Sequence, residues 1–266
     1  MKALKMISII VGIIAVIVIL ALGYFGYIPA IASLFGTNKP KDLGVKYTTA
    51  DLASAKNKFG VEIAVSSSKD PSSSMKYEGS HPVSTSFTDE ELTAMVASEN
   101  YIYQPVKNVQ IKIGENGALE SSGTLIVSNL TNYFLALTPG VVDNSITKYI
   151  GLLPSEVPYY ISGTASVSDG SVSMELNDIQ IGAGSFFNNI IPKAYANSVE
   201  ANVATFVVGP YTIPGSTLSS YQPQINTFLS TRLNRVPGLQ AKSITFSAGK
   251  MNYEGTMPNK TIRAVQ

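Results

Sequence analysis

An unbroken apolar stretch begins the pattern of the chain: it runs from Met6 to Tyr27 and contains no charged side chain. A helix needs about 20 apolar residues to cross the hydrocarbon core of a bilayer, so the stretch predicts a transmembrane anchor over residues 6–27. Lys2 and Lys5 precede it without an acidic neighbour, which favours a cytoplasmic tip over residues 1–5. The pattern predicts a single-pass protein of the cell membrane whose C-terminal domain is extracytoplasmic.

Cleavage is the alternative fate of this N-terminal segment. Ala30-Ile31-Ala32 has the small-x-small pattern of a signal-peptide cleavage site, but the apolar part of a signal peptide is shorter, at about 7–15 residues. The length favours a retained signal anchor, while cleavage after Ala32 stays open. Residues 28–41 contain Pro, Gly and Asn breakers and predict a tether, so the extracytoplasmic domain comprises residues 42–266.

Two capping boxes predict short helices in the first part of this domain. Thr48 is followed three residues later by Asp51, and Thr88 by Glu91. In this motif the threonine hydroxyl accepts from the backbone N–H three residues on, while the acidic side chain accepts from the threonine N–H. A short strand is predicted after the first of these helices, at residues 61–65.

The hydrophobic period changes to two residues from Val106 onward, which predicts antiparallel strands. Apolar and polar residues alternate on both sides of a polar turn at residues 114–117, as expected for a β-hairpin. The returning strand is predicted to extend through Leu125 and Val127. Residues 66–84 are instead rich in Ser and Pro and have no period, so they predict a loop.

A second hairpin is predicted around Asp169-Gly170, a dipeptide typical of type I′ turns. Asn177-Asp178 shifts the alternation of its second strand, as a β-bulge does. Two closing strands are predicted at residues 243–247 and 250–256, around a turn at Ala248-Gly249.

The clearest predicted helix of the domain begins near Ser220 and ends before Pro237-Gly238, with Pro223 in its first turn. The apolar residues of its predicted buried stripe are Tyr221, Ile225, Phe228, Leu229 and Leu233. The elements together predict an α+β fold: a single transmembrane helix, then a curved antiparallel sheet wrapped on this long helix.

Two interpretations of that sheet and helix stay open. In one, the core is closed and ordinary. In the other, it is partly open as a groove for an acyl chain. The candidate lining residues of that groove are Leu125, Val127, Tyr221, Ile225 and Phe228.

Charge and cysteine content limit the classes of partner and of chemical site that are expected. The 266-residue chain holds 19 basic and 18 acidic residues; two of the basic ones precede the apolar run, which leaves 17 against 18 outside. This balance does not favour nucleic acid, which is bound by clustered positive charge. The absence of cysteine excludes disulfides, thiol nucleophiles and thiolate metal sites.

No motif assigns a catalytic residue, a metal or a cofactor. His81 is the only histidine; a Ser-His-Asp triad would need it, and its surroundings predict a solvated loop residue. Ser-x-x-Lys occurs at Ser66, Ser73 and Ser145, but its Lys-Thr-Gly and Ser-Asp-Asn companions are missing. The carboxylates of residues 89–91 suit the start of a helix. An enzyme is therefore not expected, although an unrecognised hydrolase stays a third alternative.

The order of the pieces resembles a known family. The segments that carry the resemblance are FTDEEL, VQIKIGENGALESSGTLIV, YYISGTASVSDGSVSMELNDIQIG and SAGKMNYEGTMP, within Phe87 to Pro258. They resemble the YpmS-like membrane-anchored bacterial proteins of unknown function and are more distantly similar to envelope proteins related to the tubular lipid-binding (TULIP) superfamily. The resemblance implies a long helix wrapped by a curved sheet, with lipid or glycolipid as ligand. It supplies no catalytic residue.

Two functions are therefore expected. The first is a membrane-anchored extracytoplasmic module that binds lipid or another apolar envelope ligand between sheet and helix. The second is a non-catalytic structural or partner-recruiting envelope protein with a closed core. Ligand identity, protein partners and oligomeric state do not follow from these patterns.

Overall fold

The computed structural model describes residues 16–20, 22, 30, 39–137, 154–181, 211–212 and 215–266. From residue 39 onward the α-helices are α1 (Thr49–Phe59), α2 (Asp89–Ala97), α3 (Val127–Leu137) and α4 (Gly215–Arg235), and Pro71–Ser73 form one 3₁₀ turn. The strands are β1 (Glu62–Val65), β2 (Met75–Glu78), β3 (His81–Thr88), β4 (Val106–Ile113), β5 (Ala118–Ile126), β6 (Glu156–Ser168), β7 (Ser171–Ile181), β8 (Tyr211–Thr212), β9 (Gln240–Ser247), β10 (Lys250–Met257) and β11 (Lys260–Arg263). The described chain is an α+β fold with a curled antiparallel sheet, which confirms the predicted fold class in its coarser form.

The predicted anchor, residues 6–27, lies mostly outside the described residues. Its described part, Val16–Leu20 and Leu22, is helical and 41–58% exposed. None of the described helices combines the length and the apolar character needed to cross a bilayer. The anchor stays a prediction.

The large sheet curls at β6, because two series of strands, β3-β10-β9 and β5-β4, both pair with this one long strand. Its order among the described residues is β3-β10-β9-β6-β5-β4, and β7 pairs with the opposite edge of β6. One edge of β6 pairs with β5 up to Thr164 and then with β9 at Val167 and Ser168. A bulge between Ser162 and Gly163 adds local bending. A Cβ at Gly163 would lie 2.2 Å from the Glu175 carbonyl oxygen, so only glycine fits there.

The main core lies between the first two helices and strands on both sides of β6, since its buried members come from β3, β4, β9 and β10 as well as from α2. Phe87 of β3 is fully buried and stacks on Phe59 of α1, with 4.2 Å between the ring centroids. The other buried members of this core are Val83, Leu92, Ile113, Ala241, Tyr253 and Met257. Burial of these side chains fixes α1 and α2 against the sheet, because apolar area removed from water is the main favourable term in folding.

A second, three-stranded sheet brings distant parts of the chain together. β11 lies in its middle, parallel to β1 and antiparallel to β2. The prediction that residues 66–84 form a loop is therefore wrong, since β2 and the beginning of β3 fall within it. Their partners, β11 and β10, lie far along the chain, so no local period marks them.

The predictions that depend on residues close together in the sequence are confirmed. Both capping boxes form, at Thr48 and Thr88. Asp169 and Gly170 have φ values of 45° and 74°, as a type I′ turn requires. The predicted bulge also forms, because the pairing of β7 with β6 skips Asn177.

Two boundaries differ from prediction. Val127 begins α3 rather than extending the strand, and its N–H donates to the Ser155 carbonyl at 2.9 Å. Alternation cannot show where a strand ends when the next residues also suit a helix.

α4 begins at Gly215, so Pro223 lies inside it. Residues 215–220 contain only one apolar residue, Leu218, and therefore give no periodic signal.

Candidate functional site

A cavity of about 370 Å³ lies between the small sheet, α1, α2 and the segment that follows α4. Small-molecule sites have volumes of about 300–1,000 Å³, so the cavity lies at the lower end of that range. Its apolar lining includes Leu52, Phe59, Val61, Met95, Leu239 and Met257. This wall continues the main core and offers no polar group.

The small sheet forms a second wall of different character. Thr261 of β11 pairs with Ile63 of β1 on one side and with Tyr77 of β2 on the other. Arg263 lies two residues after Thr261 and so belongs to the same face of the strand. This wall therefore places two hydroxyls and a guanidinium along one side of the cavity.

Arg263 is held by a nearby carboxylate. Its Nη1 donates to Glu99 Oε2 at 2.6 Å and its Nη2 to Asn100 Oδ1 at 3.3 Å. The other oxygen of Glu99 accepts from the Tyr101 N–H at 3.1 Å. Arg263 Nε is buried and, within the residues that the structure describes, has no hydrogen-bond partner. Each oxygen of the Glu99 carboxylate thus accepts one hydrogen bond, while the Nε–H of Arg263 has no acceptor among the described residues.

Tyr77 stays protonated in this wall. Burial raises the pKa of Tyr77 to about 12, and Tyr133 nearby adds to the rise. The hydroxyl donates to the thioether sulfur of Met75 at 2.8 Å, which is a weak acceptor. Thr261 is 8% exposed, and its hydroxyl makes no hydrogen bond to the described part of the chain. The Thr261 hydroxyl can therefore donate to a ligand, and the Tyr77 hydroxyl can do so by giving up its bond to the weak acceptor Met75.

Lys56 stands at the cavity from the last turn of α1. It is exposed and forms no ion pair with any described residue. Lys58, two residues on, is different: its ammonium lies 2.6 Å from the buried carboxylate of Glu91. Lys56 is therefore the cation of this helix that is available to an incoming anion.

Glu91 fixes the helix that carries Lys56. Its carboxylate accepts from Ser54 and Lys58 of α1 and from the N–H of Thr88. Burial raises the pKa of Glu91, but the hydrogen bonds from Lys58 and Ser54 outweigh it, and the pKa lies below its usual value. The second capping box therefore joins α1 to α2 as well as starting α2.

Of the five residues predicted for a groove, the four whose side chains are described lie elsewhere. Leu125 is half-buried in β5, and Val127 is 4% exposed at the start of α3. Ile225 is half-buried on α4, whereas Phe228 is 49% exposed, so the predicted stripe does not bury it. The side chain of Tyr221 lies outside the described residues. The described lining of the cavity includes none of the five.

The polar residues of the cavity were not singled out from the sequence. Tyr77 falls in the segment predicted as a loop, and Thr261 and Arg263 follow the last predicted strand. The sequence KTIR at residues 260–263 suits a short strand, but its partners lie far earlier in the chain. Pairing over such a distance leaves no local signal.

The other residues that the sequence offered as candidates for catalysis or metal binding do not lie together at this cavity. His81 begins β3 instead of lying in a solvated loop, and its ring nitrogens lie 3.0 Å from Asn259 Oδ1 and from the Phe59 carbonyl oxygen. Among the described residues, no three His, Asp or Glu side chains cluster as metal ligands. The one carboxylate in the described lining, Glu99, is ion-paired.

No known family model matches this chain, and no curated protein matches it either.

Proposed function

We propose that this chain is a membrane-anchored, extracytoplasmic module that binds a lipid or another apolar envelope ligand without catalysis. The observation that carries the proposal is the cavity, with one apolar wall and one wall of hydrogen-bond donors. A curled antiparallel sheet is compatible with a lipid-binding fold, as the resemblance to TULIP-like proteins implies. The proposed ligand site is this cavity rather than the groove predicted between sheet and helix.

The predicted anchor indicates where in the cell the proposed module would act. The apolar run at residues 6–27 has the length and flanking charge of a signal anchor. It would hold the domain beside a bilayer, where apolar ligands are concentrated. Membrane attachment and ligand binding thus support one another in the proposal.

Native mass spectrometry of the full-length chain, released from lipid nanodiscs, tests the proposal. We expect an apolar molecule to stay bound to the wild-type chain. Met95→Trp would fill the cavity and should release that molecule, whereas Tyr47→Trp, at an exposed position outside the lining, should not. A wild-type chain that carries no apolar molecule and takes up none when offered would contradict the proposal.

A second candidate function is recruitment of a protein partner through β1. This strand is an edge of the small sheet, and its Ile63 and Val65 are 43% and 69% exposed. Exposed apolar edge strands can add a strand from another chain. Val65→Lys should then reduce specific cross-linking to envelope proteins while leaving ligand binding unchanged; equal cross-linking in both forms would remove this candidate.

A further inference from the structure

The donors at the cavity are grouped closely enough to serve one head group. Thr261 and Tyr77 are directly opposed on neighbouring strands, and opposed Cβ atoms lie about 5 Å apart. Arg263 is one step further along the same face, about 7 Å away. Lys56 approaches the same cavity from α1. Four donors from three elements therefore surround one volume.

The carboxylate and amide oxygens at the same cavity already have protein donors. Each oxygen of Glu99 accepts one hydrogen bond, from Arg263 or from the Tyr101 N–H. The side-chain oxygen of Asn100 accepts from Arg263 as well. The Lys56 ammonium and the Thr261 hydroxyl have no protein acceptor among the described residues, so a ligand that accepts finds unused donors.

The charges favour an anion. Glu99 compensates Arg263, while Lys56 has no acidic partner among the described residues. A negatively charged oxygen would accept a charge-assisted hydrogen bond from the Lys56 ammonium.

We propose that the ligand is a single-chain amphiphile whose head group is an anionic oxygen group, either a carboxylate or a phosphate monoester. Its alkyl chain lies against the wall of Leu52, Met95 and Leu239, and its head group accepts from Lys56, Tyr77 and Thr261. The modest volume of the cavity favours one chain over two. This inference rests on the proposed function and adds the chemistry of the ligand.

Competition for a photoreactive probe tests the inference. The full-length chain in nanodiscs is irradiated with an alkyl diazirine carrying a carboxylate, and labelled residues are mapped by mass spectrometry. Decanoate, decyl phosphate and decanol compete separately. We expect labelling of the cavity lining, with at least one of the two anions displacing the probe at about tenfold lower concentration than decanol. The stronger anion identifies the source of the head group.

Matched variants test which residues bind the head group. Lys56→Gln should weaken displacement by the anions about tenfold and leave decanol unchanged, whereas Lys250→Gln, an exposed lysine outside the described lining, should change neither. Tyr77→Phe and Thr261→Val remove hydroxyls while keeping the volume, and each should act in the same direction as Lys56→Gln.

The outcomes separate the two proposals. If decanol displaces the probe as well as both anions do, or if Lys56→Gln keeps the anion preference, the anionic class is wrong while ligand binding stands. If neither the carboxylate probe nor a second alkyl diazirine that carries an alcohol in place of the carboxylate labels the cavity, the proposed function itself fails, and this inference fails with it.

Discussion

The side-chain oxygen of Asn226 in α4 accepts a hydrogen bond of 3.0 Å from the backbone N–H of Met174 in β7. The relation repeats at every fourth helix residue: Gln222 accepts from Leu176, Ser230 accepts from Val172, and Asn234 donates to the Gly170 carbonyl. The helix thus takes the place that a neighbouring strand would occupy. This polar ladder covers a sheet edge that would otherwise be open to pairing.

Removal of one ladder contact should destabilise the domain. Asn226→Leu leaves the Met174 N–H without its acceptor, and we expect the free energy of unfolding to fall by about 1–3 kcal/mol. Urea denaturation measures the fall, and amide hydrogen exchange at Met174 should become faster. Thr227→Ala is the control, because its hydroxyl bonds only to the Pro223 carbonyl of the same helix. Equal unfolding midpoints in the two variants would show that the ladder does not stabilise the edge.

Glu91 should make stability depend on pH in the acid range. Its folded pKa lies below the usual value of 4.5, because hydrogen bonds from Lys58 and Ser54 outweigh burial. The stabilisation is therefore present above pH 4.5 and is lost as the pH falls through the lowered folded pKa. Glu91→Gln should lower the free energy of unfolding at neutral pH by about 2 kcal/mol and flatten its fall toward acid pH.

Chemical denaturation across pH steps checks this prediction. Glu90→Gln, at the exposed neighbouring position of the same helical turn, is the matched control. An acid-range slope that is the same in Glu91→Gln as in Glu90→Gln would contradict the assignment.

The last residue of the tether, Lys41, contacts the large sheet. The Lys41 ammonium lies 3.7 Å from the centroid of the Tyr160 ring and 3.5 Å from the Glu120 carboxylate. Contact with Tyr160 raises the Lys41 pKa, so this cation stays charged. Two residues on, the N–H of Leu43 donates to the Gln110 side chain at 2.8 Å.

Tyr160→Leu should loosen this attachment. A cation–π contact at an exposed site contributes about 0.5–1 kcal/mol, so trypsin should cut after Lys41 about two- to fivefold faster in the variant. Mass spectrometry of timed digests measures the rate. Cleavage after Lys250 serves as the internal reference, and a parallel increase there would mean that the whole domain has been weakened instead.

The sequence predicted features whose causes are local. Thr48 with Asp51 and Thr88 with Glu91 form capping boxes because each pair lies within one helical turn. Asp169-Gly170 forms its turn because both residues tolerate positive φ. These signals depend on neighbours along the chain, so they survive whatever the tertiary structure becomes.

The site escaped prediction because its wall depends on distant pairing. Tyr77 and Thr261 meet only when β2 pairs with β11, and neither strand alternates apolar and polar residues over more than four positions. The polar ladder did leave a signal, since Gln222, Asn226 and Ser230 recur at intervals of four. The apolar residues of the same helix give a competing signal at similar spacing, which predicts a buried Phe228 although that side chain is 49% exposed.

The position of β11 sets the order in which the domain can be completed during synthesis. β1 and β2 are made early, but the strand that lies between them is Lys260–Arg263. Until the ribosome has passed residue 263, both early strands lack their partner, and the donor wall of the cavity does not exist. A chain stalled before that point would lack this wall, and its unpaired strands would be open to aggregation.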